Sequence, residues 1–388
     1  MSWRDIQLGD AIHVKHGFAF KGEYFSDNGS HLVLTPGNFI ELGGFRLRPG
    51  KDRFYSGDIP ADYILESGDL VVAMTEQGAG LLGSTALIPE DDKYLHNQRL
   101  GLIKIQDRSL IDKHFLYYLF NTRPVRGQIS GSATGTKVRH TAPERIYRVK
   151  VSVPASVAEQ KRIAFFLSAY DGLIENNRRR IQLLEQSARL LYKEWFVHLR
   201  FPGHEHTKII DGIPKGWERR NLEEMATIIK GKNITKDMIE KGNVPVVAGG
   251  LNPAYYHNTA NASGPVITVS ASGANAGYVA LYHQNIWASD CSYLSSSDNS
   301  EIWFLYLAMT SRQAEITGMQ QGSAQPHVYP KNLKRLSLLS PPKTLRKLFH
   351  GTVESSFLQI ANLEKQIERI TKARDLLLPK LMNGEVVV

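Results

Sequence analysis

The sequence predicts an α+β chain of two pseudo-two-fold-related, mixed and strand-rich globular domains, separated by two long helices that form an antiparallel coiled coil. Three observations predict it. The 388-residue chain repeats itself, each repeat ends in a long amphipathic pattern, and short apolar runs bounded by turn residues fill the stretch before it.

The repeat is carried by specific residues. Trp3-Arg-Asp-Ile-Gln-Leu8 returns as Trp217-Glu-Arg-Arg-Asn-Leu222, and Lys15-His-Gly17 is echoed by Ile229-Lys-Gly231, both at an offset of 214. Phe115-Leu-Tyr117 recurs as Phe304-Leu-Tyr306. At a constant offset of 187, Ile129 pairs with Ile316, Gly131 with Gly318, Gly135 with Gly322, Thr136 with Ser323, and His140 with His327. In the same frame Pro143 pairs with Pro330, Ile146 with Leu333, Arg148 with Arg335, Val151 with Leu338 and Pro154 with Pro341. So many matches in 26 ungapped positions mark a duplication.

Within each copy, Leu70–Met74 and Val266–Val269 read as buried strands, followed by small-residue loops at 75–80 and 270–275 and by further strands at 84–88 and 277–281. From Trp3 to Gly135 is 132 positions but from Trp217 to Gly322 only 105, so the middles have diverged. The helical pattern then begins. Tyr170, Ile174, Asn177, Ile181, Leu184, Ala188, Leu191 and Trp195 alternate steps of four and three, a heptad seam that Leu173, Leu183 and Leu190 widen. Ile360, Leu363, Ile367, Ile370, Leu377 and Leu381 repeat it in the second copy. A helix from Glu159 to Leu199 is roughly 60 Å long at ~1.5 Å per residue. Asn177 in that seam is expected either to fix register and orientation or to mark a solvated stretch. Tyr192, Trp195, Phe196 and Phe201 read as core or as a docking patch. The resulting boundaries are domains at 1–154 and 217–342, helical regions at 155–201 and 343–384, and a Pro- and Gly-containing linker at 202–216.

Composition narrows the function classes. No apolar run approaches ~18 residues and no signal peptide opens the sequence, so a cytoplasmic protein is expected. The lone Cys291 excludes a disulfide framework and a cysteine-based zinc site. A net charge of +9 favours an anionic partner, of which nucleic acid is the commonest large one. Two related but different basic domains on a two-helix ruler suit two separated segments of one linear partner, as B-DNA offers at ~34 Å per turn. A second reading is an interaction scaffold whose end domains bind protein or polysaccharide.

The Trp-x-x-x-x-Leu start, the repeated Gly, His and Pro frame, Pro154 with Glu159-Gln160 and Ile163, the helix Phe165-Phe-Leu through Asp171 and Ile174-Glu175, and Trp195-Phe-Val-His-Leu-Arg-Phe-Pro-Gly203 resemble the specificity (S) subunit of type I restriction–modification enzymes. The resemblance runs from Trp3 to Gly384; the second copy departs from it with Leu345-Arg-Lys in place of Glu159-Gln-Lys-Arg. It implies a non-catalytic protein whose two target-recognition domains each read half of a split, asymmetric double-stranded DNA target through the major groove. The helices would set the spacer and dock two methyltransferase subunits. S-Adenosylmethionine would sit on those subunits, and ATP and Mg on restriction/translocase subunits, with no cofactor and no metal in this chain. The residues agree on chemistry. There is no Asn/Asp-Pro-Pro-Tyr/Phe methylase motif, Gly131–Lys137 has the wrong order for a phosphate loop, and Glu90-Asp-Asp-Lys93 and His204-Glu-His206 read as a charged turn and a linker.

Candidate DNA contacts follow from residue type: Lys, Arg, Ser and Thr for phosphates, Arg, Lys, Asn and Gln for base edges. The loops that differ are expected to read sequence: Thr75, Glu76 and Gln77 against Ser270, Ser272 and Asn275, with Gln98 and Arg99 in addition. The repeated loop contributes Thr136, Lys137, Arg139 and His140, then Ser323, Gln325 and His327; its Thr/Ser and His either position phosphate or make a buried histidine hydrogen bond and a turn. Lys15, Lys21, Arg46, Arg48, Lys51 and Arg53 supply basic charge in the first domain, and Lys230, Lys232, Lys236, Lys331, Lys334 and Arg335 in the second.

Overall fold

A computed structural model describes residues 2–78, 80–322 and 325–388. It divides into two compact units, Met1–Ile174 with Glu368–Val388, and Glu175–Ile367. Two 40-residue helices, Val157–Phe196 and Lys343–Met382, each contribute to both units. The expected helix at 159–199 is therefore present with its ends shifted by two or three residues.

The first unit is built on a four-stranded antiparallel sheet in the order Ile12–His16, Leu100–Ile105, Leu70–Ala73, Thr85–Leu87. Leu70 to Ala73 is apolar throughout and buried throughout, because one sheet face packs on the helices Lys113–Phe120 and Arg123–Gly131 and the other on a second layer. That layer is a five-stranded sheet of two-residue strands drawn from Phe25, Leu32, Phe54, Ile64 and Tyr94 onward. Trp3–Gln7 pairs with Lys150–Pro154, so the opening of the sequence is fastened to the segment that enters the first long helix.

The second unit repeats the plan. Its sheet runs Ile229–Lys230, Cys291–Ser295, Val266–Ser270, Val279–Tyr282, again antiparallel and in the equivalent order. Ile302–Ser311 and Gln313–Gly318 stand where the first unit has its two short helices, and Glu218–Asn221 pairs with Ser337–Ser340. The divergent middle is a three-stranded sheet, Tyr255–His257, Val244–Val247, Trp287–Ala288, in place of five strands. The linker is not featureless: Ile209–Ile210 and Ile213–Pro214 form a hairpin through Asp211 and Gly212, both at positive φ.

The helices pair antiparallel within each unit. In the second, the Asn177 amide donates to Gln366 Oε1 at 3.2 Å while Trp195 packs on Phe349, centroids 5.4 Å apart. In the first, Asp171 meets Arg374 at 2.6 Å. Ile174, Asn177, Ile360 and Leu363 are buried, and Ile181, Leu184, Leu191, Ile367, Ile370 and Leu377 are half-buried along the seam. Asn177 is buried and hydrogen-bonded, so it does not mark a solvated stretch of the seam. Leu173, Leu183 and Leu190 do not widen the seam; all three are exposed. Each precedes a seam residue by one position, and ~100° of helical rotation turns it to solvent.

Tyr192, Trp195, Phe196 and Phe201 are core, clustered with Trp217, Phe304 and Phe349 at centroid spacings of 4.9–6.3 Å. Both helix starts are stapled to their domains. Gln160, wholly buried, donates to the carbonyls of Leu110 and Pro154 and accepts the amide of Asp112, all at 2.8–2.9 Å. Arg346 occupies the matching place in the second copy, donating to Ser340 Oγ and the Pro341 carbonyl and pairing with Glu301 at 2.6 Å. The residue changed, and the fastening to the preceding proline segment remained.

Candidate nucleic-acid interface

The duplicated loop has one construction in both units. Thr134 and His140 exchange both backbone hydrogen bonds, and so do Gln321 and His327. Gly135 and Gly322 turn the chain inside these closures at φ +96° and +94°. A Cβ on Gly135 would lie 2.0 Å from the Val138 carbonyl, and one on Gly322 2.9 Å from that of Gln325. The repeat in the sequence is thus a repeat of one backbone bridge with a glycine at positive φ just inside it.

The tips differ. Thr136 and Lys137 are exposed in the first unit and Gln325 in the second; Ser323 lies outside the described residues. His140 is exposed, against the alternative of a buried histidine, and its Nδ1 lies 3.0 Å from Thr75 Oγ1. His327 is half-buried and stacks on the exposed Tyr329, with Lys331 over the same ring at 5.6 Å. Tyr329 was not legible as a surface residue, because an aromatic before a helix-starting proline reads as core. A flat ring carrying a cation can pack against a thymine methyl or a sugar face while the ammonium meets phosphate.

Several expected contact residues serve the scaffold instead. Glu76 is 3% exposed; its Oε2 accepts the amides of Gly80, Leu81 and Leu82 at 2.8–3.0 Å and its Oε1 meets Arg139 at 3.3 Å. A carboxylate so buried, with one oxygen taken by three amides and the other paired with a guanidinium, is not presented to a cytosine amine. Arg139 is held between Glu76 and the Ser130 carbonyl. Arg48 is taken up by Asp52 and Thr35 Oγ1. Thr75 and Ser270 are buried, Ser270 donating to the Gly249 carbonyl. Ser272 is bonded to Asp290, and the Asn275 amide reaches the Gly249 carbonyl at 3.4 Å. These polar groups are turned inward because buried strand ends and loops must satisfy their backbone partners.

The rest remain at the surface. Gln77, Gln98, Arg99, Lys21, Arg46, Lys230, Lys232 and Lys331 are exposed, and Lys15 is half-buried over Tyr63 at 4.5 Å. Beside Gln98, His96 is fully buried; its Nε2 lies 3.0 Å from the Leu100 carbonyl, and burial holds its pKa down to about 4. It is a neutral strut beneath Gln98 and Arg99. Among the described residues, no cluster of three or more His, Cys, Asp or Glu side chains is arranged to hold a metal, and no helix is long and apolar enough to cross a membrane.

Comparison with known proteins agrees with the duplicated architecture. Residues 2–186 and 214–369 match the family described as type I restriction modification DNA specificity domain. The chain is 26% identical to the type I restriction enzyme MjaIX specificity subunit of Methanocaldococcus jannaschii, covering 74% of this chain and 72% of that one. It is 21% identical to the HindI specificity subunit of Haemophilus influenzae, covering 99% of both. Its fold is that of the crystal structure of a type I restriction–modification S subunit from M. genitalium, with a TM-score of 0.64 at 18% identity, spanning 98% of this chain and 96% of that one. With two family matches that cover most of its length and coincide with the two copies of one fold, this chain belongs to the type I restriction–modification DNA specificity family.

Proposed function

We propose that the chain is the DNA-specificity subunit of a type I restriction–modification complex and performs no catalysis itself. Each unit reads one half of a bipartite, asymmetric double-stranded DNA target through the major groove. The helices set the length of the unread spacer and dock two methyltransferase subunits. S-Adenosylmethionine then belongs to those subunits, ATP and Mg to restriction/translocase subunits, and the complex works in the cytoplasm.

One observation carries the reading. The same glycine-started loop projects from the same fold in both units, closed by the same backbone bridge, with different side chains at its tip. A conserved frame with changed tips is what two readings of one chemically uniform polymer require. Lys137, Lys21 and Arg46 in the first unit, and Lys230, Lys232 and Lys331 in the second, supply phosphate contacts that fix position. Gln77, Gln98 and Arg99, and Gln325 with Tyr329, are the exposed groups suited to base edges.

Exchanging residues 3–153 for those of a family member with another target tests this directly. The complex should methylate DNA with one half of its target changed and the other kept. If both halves change, or neither does, independent reading by the two units is wrong. Specific binding should also weaken steeply with salt while keeping its preference for the split site.

A further inference from the structure

The Glu76 carboxylate and the Arg126 guanidinium grip opposite sides of one short loop. Glu76 Oε2 receives the amides of Gly80, Leu81 and Leu82. Arg126 donates to the carbonyls of Gly80 and Leu82, and also to that of Glu41 at 2.7 Å. Gly80 is held at φ +114°, where a Cβ would lie 2.7 Å from the Glu41 carboxyl carbon. The free oxygen of Glu76 pairs with Arg139, at the base of the loop that carries Thr136 and Lys137. Two surface loops therefore meet at one buried carboxylate flanked by two half-buried guanidinium groups.

Burying a carboxylate and a guanidinium is unfavourable unless their hydrogen bonds are complete. The second unit does without them. Both loops are closed by the backbone in the same way, Ala73 with Ser84 and Gly83 with Ala73 in the first, Ser270 with Tyr278 and Gly277 with Ser270 in the second, where the Gln320 amide on the Ala276 carbonyl at 2.8 Å is the added side-chain tie. Among the described residues, no carboxylate receives an amide of that loop. The clamp thus answers a requirement of what the first unit's loops do, not of the sheet beneath them.

We infer that Glu76 and Arg126 are positioning residues for target recognition by the first unit: they preorganise the loop bearing Gln77 and, through Arg139, the loop bearing Thr136 and Lys137. The inference rests on the proposed DNA-reading role. A loop fixed before binding loses less freedom on docking and cannot shift to accommodate a wrong base pair. Neither residue touches DNA in this account; both act through the backbone they hold.

The test uses the chain assembled with its methyltransferase subunits, and duplexes carrying its methylated target or single base-pair changes in either half. A wrong base pair costs the wild-type complex roughly 5- to 150-fold in binding, the usual range. In Glu76→Gln and, separately, Arg126→Lys, that discrimination should fall below about 3-fold in one half, the same half that exchange of residues 3–153 alters. Discrimination in the other half and affinity for non-specific DNA should stay within about 2-fold, which also reports that the chain is folded. Unchanged discrimination in both halves overturns the inference. So does equal loss in both, since a merely structural defect would not respect the boundary between units. A wild-type complex with no split target would strike the proposed function itself, and the clamp's role with it.

Discussion

Arg346 and Glu301 offer a measurable test of how the second helix start is held. Their side chains are only 15% and 14% exposed, and the guanidinium has two further acceptors, Ser340 Oγ and the Pro341 carbonyl. Replacing Arg346 by Met strands the Glu301 carboxylate and both acceptors. For a pair this buried, loss of one partner costs about 3 kcal/mol. Glu301→Gln leaves the cation two of its contacts and should cost less, about 1–2 kcal/mol. The double variant Arg346→Gln/Glu301→Gln installs the neutral amide that Gln160 uses in the first copy, and should return to within about 1 kcal/mol of the parent. Four of the five tryptophans, Trp195, Trp217, Trp287 and Trp303, lie in residues 175–367, so urea unfolding followed by fluorescence reports mainly on this unit. A change under about 0.5 kcal/mol for Arg346→Met, or single effects that merely add in the double variant, would refute the stapling account.

Three further outcomes are expected. Gly135→Ala should open the first duplicated loop by about 2 kcal/mol, seen as a roughly 30-fold faster exchange of the His140 amide, with Gly322→Ala less severe because its carbonyl neighbour lies farther off; equal effects would contradict the geometry. Asn177→Leu should raise the thermal stability of the second unit by about 1 kcal/mol, since Gln366 is exposed and can turn to water; a loss of stability would mean the amide pair contributes net free energy. His96 and His283 are both held down to about 4 by burial, so the folded chain binds fewer protons than the unfolded one below the ordinary histidine value of 6.5. Stability should therefore fall as pH drops from about 6.5 to 4, by up to about 3 kcal/mol for His96, and His283→Phe should flatten the slope. A melting temperature indifferent to pH across that window would show that neither ring is buried neutral.

Much of the fold was legible because its signals are local. Gly135 and Gly322 stand where the backbone needs positive φ, Leu70–Ala73 and Val266–Ser270 are unbroken apolar runs, and the helix seam repeats at fixed steps. What failed was decided by distant residues. Glu76 looked like an exposed loop carboxylate because backbone amides leave no trace in residue type and its side-chain partner Arg139 is 63 positions away. Gln160 and Arg346 share no chemistry, so only the positions of Pro154 and Pro341 show that they do the same job. At the candidate interface, residue type drew attention to the loops, but burial sorted them: Thr75 and Glu76, in a two-residue strand, are both buried, and Gln77 just beyond it is exposed.

The first unit is closed by residues far along the chain. Leu377, Leu381, Met382 and Val388 pack into the core begun by Leu8 and Ile12, and Gly384 lies against the Trp3 ring. The second unit is continuous in sequence, whereas the first is not. During synthesis, therefore, the core of the first unit lacks part of its lining until residues 368–388 follow, whereas the second unit is whole once residue 367 has been made. A chain interrupted before residue 368 would leave an apolar cleft in the first unit where Leu377, Leu381 and Met382 belong, surface of the kind that chaperones and proteases act on.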